Sequence, residues 1–393
     1  MSSKWRVKLG IHVAHGFIKT NGELTPLSEE EDINYVIYLA ESMRKKKELF
    51  KKIYERIGLV TRVHYPFFIK EFRGKYSLVF DPYKKSSINF KLPVIDSRFI
   101  ESIVEELKML DEKSFIDKLT LLDEALKAAV RGEKYVTFRE YIVESLVMDK
   151  DVIEDIRRLA SYPFEYSYPG VKLNFGNLDV EKQIRIVNEL LDEATSLIGL
   201  STRILGEITR IVNEWEKKII SKYKDQDSTI SEKDSLINEA RRRLESIRNN
   251  LLVYMDSIKS IEKQIMDLAI PKPGSGDNLY FIPLYVVSYM NEEGDIVRSV
   301  VIPPLVITPS SGFKQAKHEY FKALEKYFEN LSSLPEDPIY ESWILEYSLI
   351  HKLSIEGIKA GLSLLVNEGI VKQSEVEDVI KSIEEQLKDE RFY

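Results

Sequence analysis

The stretch that decides the fold is VNELLDEATSLIGLSTRILGEITRIVNEWEKKI, residues 187–219. Its apolar positions recur at alternating spacings of four and three residues, which is the 3.5-residue period of a coiled coil. A second stretch, residues 237–268, keeps the complementary spacing of three and four. The two stretches therefore predict two long helices that pack along one narrow apolar seam.

The predicted seam contains large apolar residues from both stretches. We expect it to comprise Val187, Leu191, Ile198, Leu205, Ile208, Val212, Trp215, Ile219, Ile237, Leu244, Ile247, Leu251, Tyr254, Ile258, Ile261, Ile265 and Leu268. Ala194, Ser201 and Ala240 complete the repeat with small side chains, each opposite a large residue, so the packing is complementary in volume.

The two stretches have the register of an antiparallel hairpin, in which the position numbers of facing residues sum to a constant. Val187 with Leu268 gives 455 and Leu191 with Ile265 gives 456, and this alternation holds along the whole repeat. The midpoint falls in a polar segment, so we place the tip of the hairpin at 224–233. At a rise of ~1.5 Å per residue, each arm is ~50 Å long.

The positions that flank the seam differ between the two halves of the first helix. Ile186, Leu190, Leu197 and Ile204 widen the apolar stripe near the base, which suits packing against the rest of the protein. Beyond about residue 208 the flanks become Glu, Lys, Arg and Asn. This change favours a protruding, solvated arm over the alternative of two long helices in an ordinary bundle.

The remaining sequence predicts mixed helices and strands. The predicted fold is an α+β protein, with a small antiparallel β-sheet body, flanking helices and a long inserted antiparallel coiled-coil hairpin. We expect residues 1–178 to form an N-terminal α+β part and 179–271 to form the coiled-coil hairpin. Residues 272–393 are expected to form a β-hairpin that returns to the body, followed by C-terminal helices.

Helices outside the coiled coil are predicted from capping residues and apolar periodicity. One is expected from Glu29 to about residue 57 with Ser28 as its N-cap, and others at 98–130 and 138–160. Two β-hairpins are expected at 59–80 and 280–307, each rich in β-branched and aromatic residues around a glycine turn.

The two predicted β-hairpins resemble each other. Pro66 and Pro283 open similar aromatic runs, and the returning strands end in proline at Pro82 and Pro303. This similarity is typical of a diverged internal repeat with the coiled coil between its halves, although aromatic hairpins also look alike by chance.

Composition narrows the class of protein. The chain has no cysteine, which excludes disulfides, thiolate metal sites and a cysteine nucleophile. A net charge of −7 disfavours general attraction to nucleic acid and leaves local basic patches. No uninterrupted run of 18 apolar residues and no cleavable N-terminal apolar segment occurs, so we expect a cytoplasmic protein without membrane contact. The charged fraction of 31% resembles that of thermophilic proteins.

Residues that could carry chemistry are few. His12 and His15 are three residues apart, which on a strand places them on opposite faces, so we expect no metal site. Glu71 and Asp81, followed by Lys84 and Lys85, weakly resemble the acidic residues and lysine of metal-dependent nucleases, and charges beside a turn explain them equally well. Because no phosphate-binding loop is present, we expect no cofactor.

The candidate partner-binding residues are Arg241, Arg242, Arg243 and Arg248 on the second arm. They could contact phosphates or an acidic partner, or they could pair with nearby glutamates on an ordinary solvated face. We therefore expect a non-enzymatic interaction or scaffold protein whose arm binds another macromolecule, with a protein or a larger assembly as the expected partner. Nucleic-acid binding through the basic face is the alternative, followed by a metal-dependent nuclease around Glu71 and Asp81. The oligomeric state stays open.

Overall fold

The computed structural model describes residues 10–45, 55–84, 86–168, 170–173, 178–223, 230–272, 278–291, 293–310, 316–329, 348–350 and 353–387. The chain divides into two compact units. Unit 1 comprises Met1–Lys85, Val147–Leu178 and Leu268–Tyr393, and unit 2 comprises Ser86–Leu146 and Asp179–Asp267. Unit 2 is therefore built from two insertions into unit 1.

Helices and strands are numbered in chain order. The helices are α1 (Glu29–Met43), α2 (Ser97–Leu107), α3 (Glu112–Val130), α4 (Lys150–Leu159), α5 (Val180–Lys222), α6 (Ile230–Met266), α7 (Lys322–Phe328), α8 (Ile355–Asn367) and α9 (Gln373–Leu387). The strands are β1 (Ile11–His12), β2 (Gly16–Thr20), β3 (Glu23–Pro26), β4 (Arg56–Phe72), β5 (Tyr76–Phe80), β6 (Ser87–Ile95), β7 (Val136–Glu144), β8 (Val171–Lys172), β9 (Ile270–Pro271), β10 (Asn278–Met290), β11 (Ile296–Ile302), β12 (Leu305–Thr308) and β13 (Lys317–Tyr320). The chain is thus an α+β protein. Among the described helices, none is both long and apolar enough to cross a membrane.

The centre of unit 1 is a seven-stranded mixed sheet in the order β1-β10-β4-β5-β9, with β11 also paired to β10 and β8 to β4. The long strands β4 and β10 pair antiparallel along almost their whole length. Most residues of both strands are buried, because the sheet is covered on both faces. Their sequences therefore form nearly continuous apolar runs.

The two predicted β-hairpins, β4–β5 and β10–β11, take equivalent places in this sheet. Pro66 pairs with Phe281 and Pro283 pairs with His64, so a shift of 217 positions exchanges the two pairs. Residues 68–72, which pair with β5, correspond under the same shift to residues 285–289, which pair with β11. Such a two-fold arrangement is what an internal repeat would produce.

A smaller sheet and, in the described part of the unit, five helices complete unit 1. The sheet has the order β13-β12-β2-β3, and α1, α8 and α9 pack together beside the apolar core. At the start of α1, Ser28 Oγ accepts from the Glu31 backbone N–H, and the Glu31 carboxylate accepts from the Ser28 N–H at 2.8 Å. This capping box confirms Ser28 as the predicted N-cap.

Unit 2 is a helical bundle with a two-stranded sheet. The helices α5 and α6, of 43 and 37 residues, pack side by side. Three contacts join them, between Thr195 and Glu262, Thr202 and Met255, and Glu216 and Arg241, and each pair of position numbers sums to 457. The helices are therefore antiparallel, in a register within two residues of the predicted sums. The predicted tip includes residues 224–229, which lie outside the described residues.

The predicted seam residues are shielded from solvent to different degrees. Ile198, Leu205 and Leu244 are half-buried, and the other large residues predicted for the seam are buried. The distal half of α5 also packs on α3, where the ring of Phe115 stacks on Trp215 at 4.6 Å. The prediction of a solvated arm beyond residue 208 is therefore wrong, because the apolar face of α3 covers the distal half of α5. The alternative, two long helices in a helical bundle, describes this part of the chain.

Two further predictions need correction. Residues 138–144, predicted as part of a helix, belong to strand β7, which pairs with β6 from Ile95 and Val136 to Ser87 and Glu144. Left-handed backbone at Tyr135 (φ 61°) and Ser145 (φ 60°) interrupts any helix at both ends of this strand. The single helix predicted at 98–130 is two helices, and the side chain of Asp111 caps the second.

The grouping of the chain also differs from the predicted parts. The second segment of unit 2, Asp179–Asp267, nearly coincides with the predicted coiled-coil segment 179–271. Residues 86–146, which the sequence placed in the N-terminal part, lie in the same unit as the coiled coil. They do so because α2 and α3 pack on α5 and α6, and because the β6–β7 sheet packs on the same two helices.

Candidate functional site

The predicted partner-binding arginines lie on α6 and are largely occupied by carboxylates of the same unit. Arg241 donates from Nε to Glu216 Oε1 on α5 at 3.0 Å. Arg242 donates to Glu239 at 2.7 Å, and this hydrogen bond lowers the pKa of the Glu239 carboxyl. The local charge is therefore balanced, as on an ordinary solvated helix face.

Arg243 and Arg248 differ from each other in burial. Arg243 donates from Nη1 to Asp123 Oδ2 of α3 at 3.2 Å, and from Nε to Glu239 at 2.8 Å. Asp123 is 5% exposed and also accepts from Ser246 Oγ at 2.6 Å. Arg243 is thus a packing residue between α3 and α6, whereas Arg248 is exposed.

The β6–β7 sheet gives unit 2 an exposed apolar surface. Phe138 and Ile142 are four residues apart on β7, so they lie on the same face of the strand, and they are 54% and 51% exposed. Pro93 of β6 is the cross-strand neighbour of Phe138. Glu140 lies between Phe138 and Ile142 on β7 and forms an ion pair with Lys91 of β6 at 3.3 Å. We give the name hairpin face to one surface of the antiparallel β6–β7 pair, whose strands are connected through α2 and α3. It comprises Phe138, Ile142, Pro93, Lys91 and Glu140.

The opposite side of β7 attaches the sheet to α5. Arg139 Nη1 lies 2.6 Å from Glu193 Oε1, and the Tyr141 hydroxyl donates to the same carboxylate. The Glu144 backbone N–H donates to Gln183 Oε1 at 2.9 Å. The hairpin face is therefore displayed by a strand that is fixed to a long helix.

A second group of polar residues lies inside unit 1, on one face of the large sheet. Arg62 and His64 are two residues apart on β4, and His12 on β1 is beside Phe281 on β10. Tyr166 and Lys172 come from the segment around β8. We call Arg62, His64, His12, Tyr166 and Lys172 the histidine–arginine cluster.

Arg62 is the centre of this cluster and is completely buried. Its Nη2 donates to Glu29 Oε1 at 2.7 Å and to the Tyr168 carbonyl oxygen, and its guanidinium lies 3.9 Å from the centre of the Tyr166 ring. Within the described residues, no acceptor bonds to its Nε or Nη1. An unpaired buried donor costs about 1–3 kcal/mol, so this arginine is an unusual feature in a packed interior.

His12 and His64 form a close pair. Their Nδ1 atoms are 3.0 Å apart, so one ring donates and the other accepts, and the rings meet edge to face. Burial, followed by the positive charges of Lys172 and Arg62, lowers the pKa of His12 to about 4. Burial, followed by His12, lowers the pKa of His64 well below its ordinary value. Both imidazoles are therefore neutral at pH 7.

His15 lies apart from this pair and has a structural role. Its Nδ1 is 2.8 Å from Asp32 Oδ1, and its Nε2 is 3.2 Å from the Ile302 carbonyl oxygen. The Tyr285 hydroxyl donates to the other oxygen of Asp32 at 2.8 Å. His12 and His15 thus contact different partners. Among the described residues, no three histidine or carboxylate side chains are placed to hold a metal ion.

The residues of the nuclease alternative also have local partners. Glu71 pairs with Lys272. Asp81 is buried and accepts from the hydroxyls of Tyr65 at 2.8 Å and Tyr327 at 2.5 Å, and burial together with the Asp81 charge raises the pKa of both tyrosines. Asp81 therefore organises the packing beneath β5, and Lys84 covers the ring of Tyr327 at 4.5 Å.

Sequence reasoning missed both the hairpin face and the histidine–arginine cluster. The signal for the cluster was present, because Arg62 and His64 alternate within the otherwise mostly apolar run of β4. Polar residues at that spacing share one face of a strand that is buried on both sides. The hairpin face was hidden by the incorrect helix prediction for residues 138–144.

These two sites belong to an α+β protein in which two inserted chain segments together form a helical unit within a β-sheet unit. No protein-family model matches the chain, and searches of curated proteins and of solved structures find no significant match.

Proposed function

We propose that this chain is a non-enzymatic interaction protein, and that unit 2 binds a protein partner through the hairpin face. The observation that carries the proposal is the pair of large apolar side chains, Phe138 and Ile142, each more than half exposed on one face of β7. Aromatic and large apolar side chains at the centre of an interface supply much of its binding energy.

The charges around this face favour a protein over nucleic acid. Lys91 and Glu140 neutralise each other, and Arg139 is held by Glu193 on the other side of the strand. Binding to a phosphate backbone depends on unpaired positive charge, which this face does not concentrate. The ion pairs of Arg241 and Arg243 reduce the positive charge available elsewhere on the unit.

The attachment of β7 favours a preorganised surface. Because Glu193 and Gln183 hold the strand against α5, the two side chains are presented by a fixed backbone. A fixed binding surface loses less conformational entropy when the partner binds than a flexible loop does. The long helices thus serve as the support for the proposed interaction.

The test is a quantitative capture experiment from native lysate with the full chain. The test variant is Phe138→Ser with Ile142→Ser. The matched control is Met109→Ser with Leu121→Ser, which removes two exposed apolar side chains elsewhere in unit 2. We expect one protein to be captured by the wild type and the control, and to be reduced about tenfold or more with the test variant, which corresponds to a loss of ~1.4 kcal/mol.

All three proteins must have the same far-ultraviolet circular dichroism and thermal midpoint. Equal capture by all three, or capture of nucleic acid alone, would overturn the proposal. A deletion of residues 208–247 would not replace these variants, because residues between 208 and 219 and between 237 and 247 share a core with Phe115 of α3, which the deletion would expose.

A further inference from the structure

We propose that unit 1 binds a small oxyanion at the histidine–arginine cluster, with Lys172 and His12 at the entrance and Arg62 as the buried hydrogen-bond donor. The site is distinct from the hairpin face and does not depend on the interaction proposed for unit 2.

The first argument is the set of unused hydrogen-bond donors. Arg62 has five N–H bonds, and its Nη2 donates to Glu29 and to the Tyr168 carbonyl. Within the described part of the chain, Nε and Nη1 reach no acceptor although the side chain is fully buried. Native interiors nearly always supply an acceptor for such groups, so a ligand rich in oxygen atoms is the natural completion.

The second argument is the sign of the charge around the histidine pair. Burial, Lys172 and Arg62 lower the pKa of His12. Burial, His12, Arg62 and Lys172 lower the pKa of His64, and no carboxylate among the described residues contributes to either shift. These charged neighbours are cations, and one imidazole N–H is not used in the His12–His64 hydrogen bond, so the surroundings favour an anion and oppose a metal cation.

The nearby carboxylates are already occupied. Glu29 accepts from Arg62, from the Ser167 backbone N–H at 2.6 Å and from the Tyr168 backbone N–H at 2.9 Å. Asp32 accepts from His15 and Tyr285. Both acids therefore stay with their present partners, and they do not compete for the remaining donors of Arg62.

The members of the cluster differ in their exposure to solvent. Lys172 is exposed, His12 and Tyr166 are half-buried, and His64 and Arg62 are buried. The backbone of Gly170 packs closely on the His64 ring. A Cβ at position 170 would lie 2.6 Å from His64 Nε2, so only glycine fits there without a shift. Lys172 thus places a positive charge at the exposed side of the cluster, while Arg62, whose charge is balanced by Glu29, offers its two unused donors Nε and Nη1 in the interior.

The experiment follows the side-chain nitrogen resonances of His12 and His64 in the full-length protein. Inorganic phosphate, glycerol phosphate and acetate are added separately at constant ionic strength, up to about 10 mM, which reaches dissociation constants in the millimolar range. We expect at least one anion to shift both histidine signals saturably and to raise the pKa of His12, because a bound negative charge favours the imidazolium. A stronger response to phosphate than to glycerol phosphate would indicate a free phosphate ion as the ligand, and the reverse would indicate a phosphate ester. A response to acetate would indicate a carboxylate.

Two exposed lysines of unit 1 provide a matched pair of variants. Lys172→Met should lower the affinity for the anion about tenfold, whereas Lys75→Met should leave this affinity unchanged. Arg62→Met should abolish binding; if that variant does not fold, the lysine pair and the wild-type titration decide. Histidine signals that no anion moves, or equal affinity in the wild type and Lys172→Met, would overturn the proposal.

Discussion

Arg241 on α6 donates from Nε to Glu216 Oε1 on α5 across 3.0 Å, and this ion pair links two residues that are 25 positions apart. Their position numbers have the same sum as those of Thr195 with Glu262, near the other end of the hairpin. One register therefore holds along most of the helix pair. The same contact neutralises an arginine that the sequence alone leaves available for a phosphate.

Removing Arg243 should destabilise unit 2, because Asp123 would lose its charged partner while it stays 5% exposed. Ser246 and Asn250 still donate to Asp123, so we expect Arg243→Leu to lower the free energy of unfolding by about 2 kcal/mol. The control Arg248→Leu changes an exposed arginine and should shift stability by less than about 0.5 kcal/mol. Urea unfolding followed by circular dichroism measures both, and equal losses would contradict the role assigned to Arg243.

The paired arginines also predict weak binding to nucleic acid. We expect the wild type to bind mixed-sequence DNA no more tightly than an ordinary non-specific contact, with a dissociation constant of about 10⁻⁴ M at physiological salt. Arg241→Gln combined with Arg242→Gln should leave that value unchanged, because both side chains are engaged by Glu216 and Glu239. Fluorescence anisotropy at several salt concentrations measures the affinity. Tight binding that falls steeply with salt and disappears in the double variant would restore the nucleic-acid alternative.

The helix pair could be predicted from sequence because its information is local and repeated. Each heptad from Val187 onwards repeats the same apolar spacing, so one small polar residue such as Ser201 does not change the predicted helix pair. The packing of α3 on α6 has no such signal, because a face like that of Phe115 and Leu119 specifies only that an apolar partner exists. Strand β7 was missed because its exposed face mixes charged residues with Phe138 and Ile142.

The histidine–arginine cluster could not be assembled from sequence for a different reason. Its members come from positions 12, 62, 64, 166 and 172, and they meet only because β1, β4 and β8 belong to one sheet. Sequence spacing drew attention to His12 with His15, yet the partner of His12 is His64, 52 positions away. Sheet pairing between distant segments is set by tertiary packing, which no short motif records.

The histidine pair predicts that stability falls as the solution becomes acidic. The folded-state pKa of His12 is about 4, below its unfolded value of about 6.5, and that of His64 is lowered in the same direction. Between these values the unfolded chain binds more protons, so the contribution is complete above about pH 6.5 and is lost as the pH falls towards 4. The urea midpoint of the wild type should therefore decline across this window.

Carboxylates titrate over part of the same range, so a matched variant isolates the histidines. His12→Gln with His64→Gln keeps hydrogen-bonding side chains that do not titrate, and it should show a shallower decline between pH 6.5 and about pH 4.5 than the wild type. Identical slopes for the two proteins would mean that the pair contributes nothing to the pH dependence.

Two glycines in helices should respond with opposite sign to the same substitution. A Cβ on Gly361 of α8 would come within 2.0 Å of Asn34 Nδ2 on α1, and Asn34 is completely buried. Asn34 Nδ2 already donates to the Glu30 carbonyl at 2.8 Å, so its side chain can move aside only by losing that bond. We expect Gly361→Ala to cost about 1–3 kcal/mol, the usual range for overpacking.

Gly199 on α5 provides the comparison, since none of the described residues places an atom within 4 Å of its Cβ position apart from the helix itself and its chain neighbours. Alanine in an exposed helix interior is favoured over glycine by about 1 kcal/mol, so Gly199→Ala should stabilise unit 2 by roughly that amount. Urea unfolding of both variants beside the wild type measures the two signs. If Gly361→Ala is as stable as the wild type, α8 and α1 do not approach as closely as Asn34 requires. If Gly199→Ala destabilises, that surface of α5 is covered by something other than solvent.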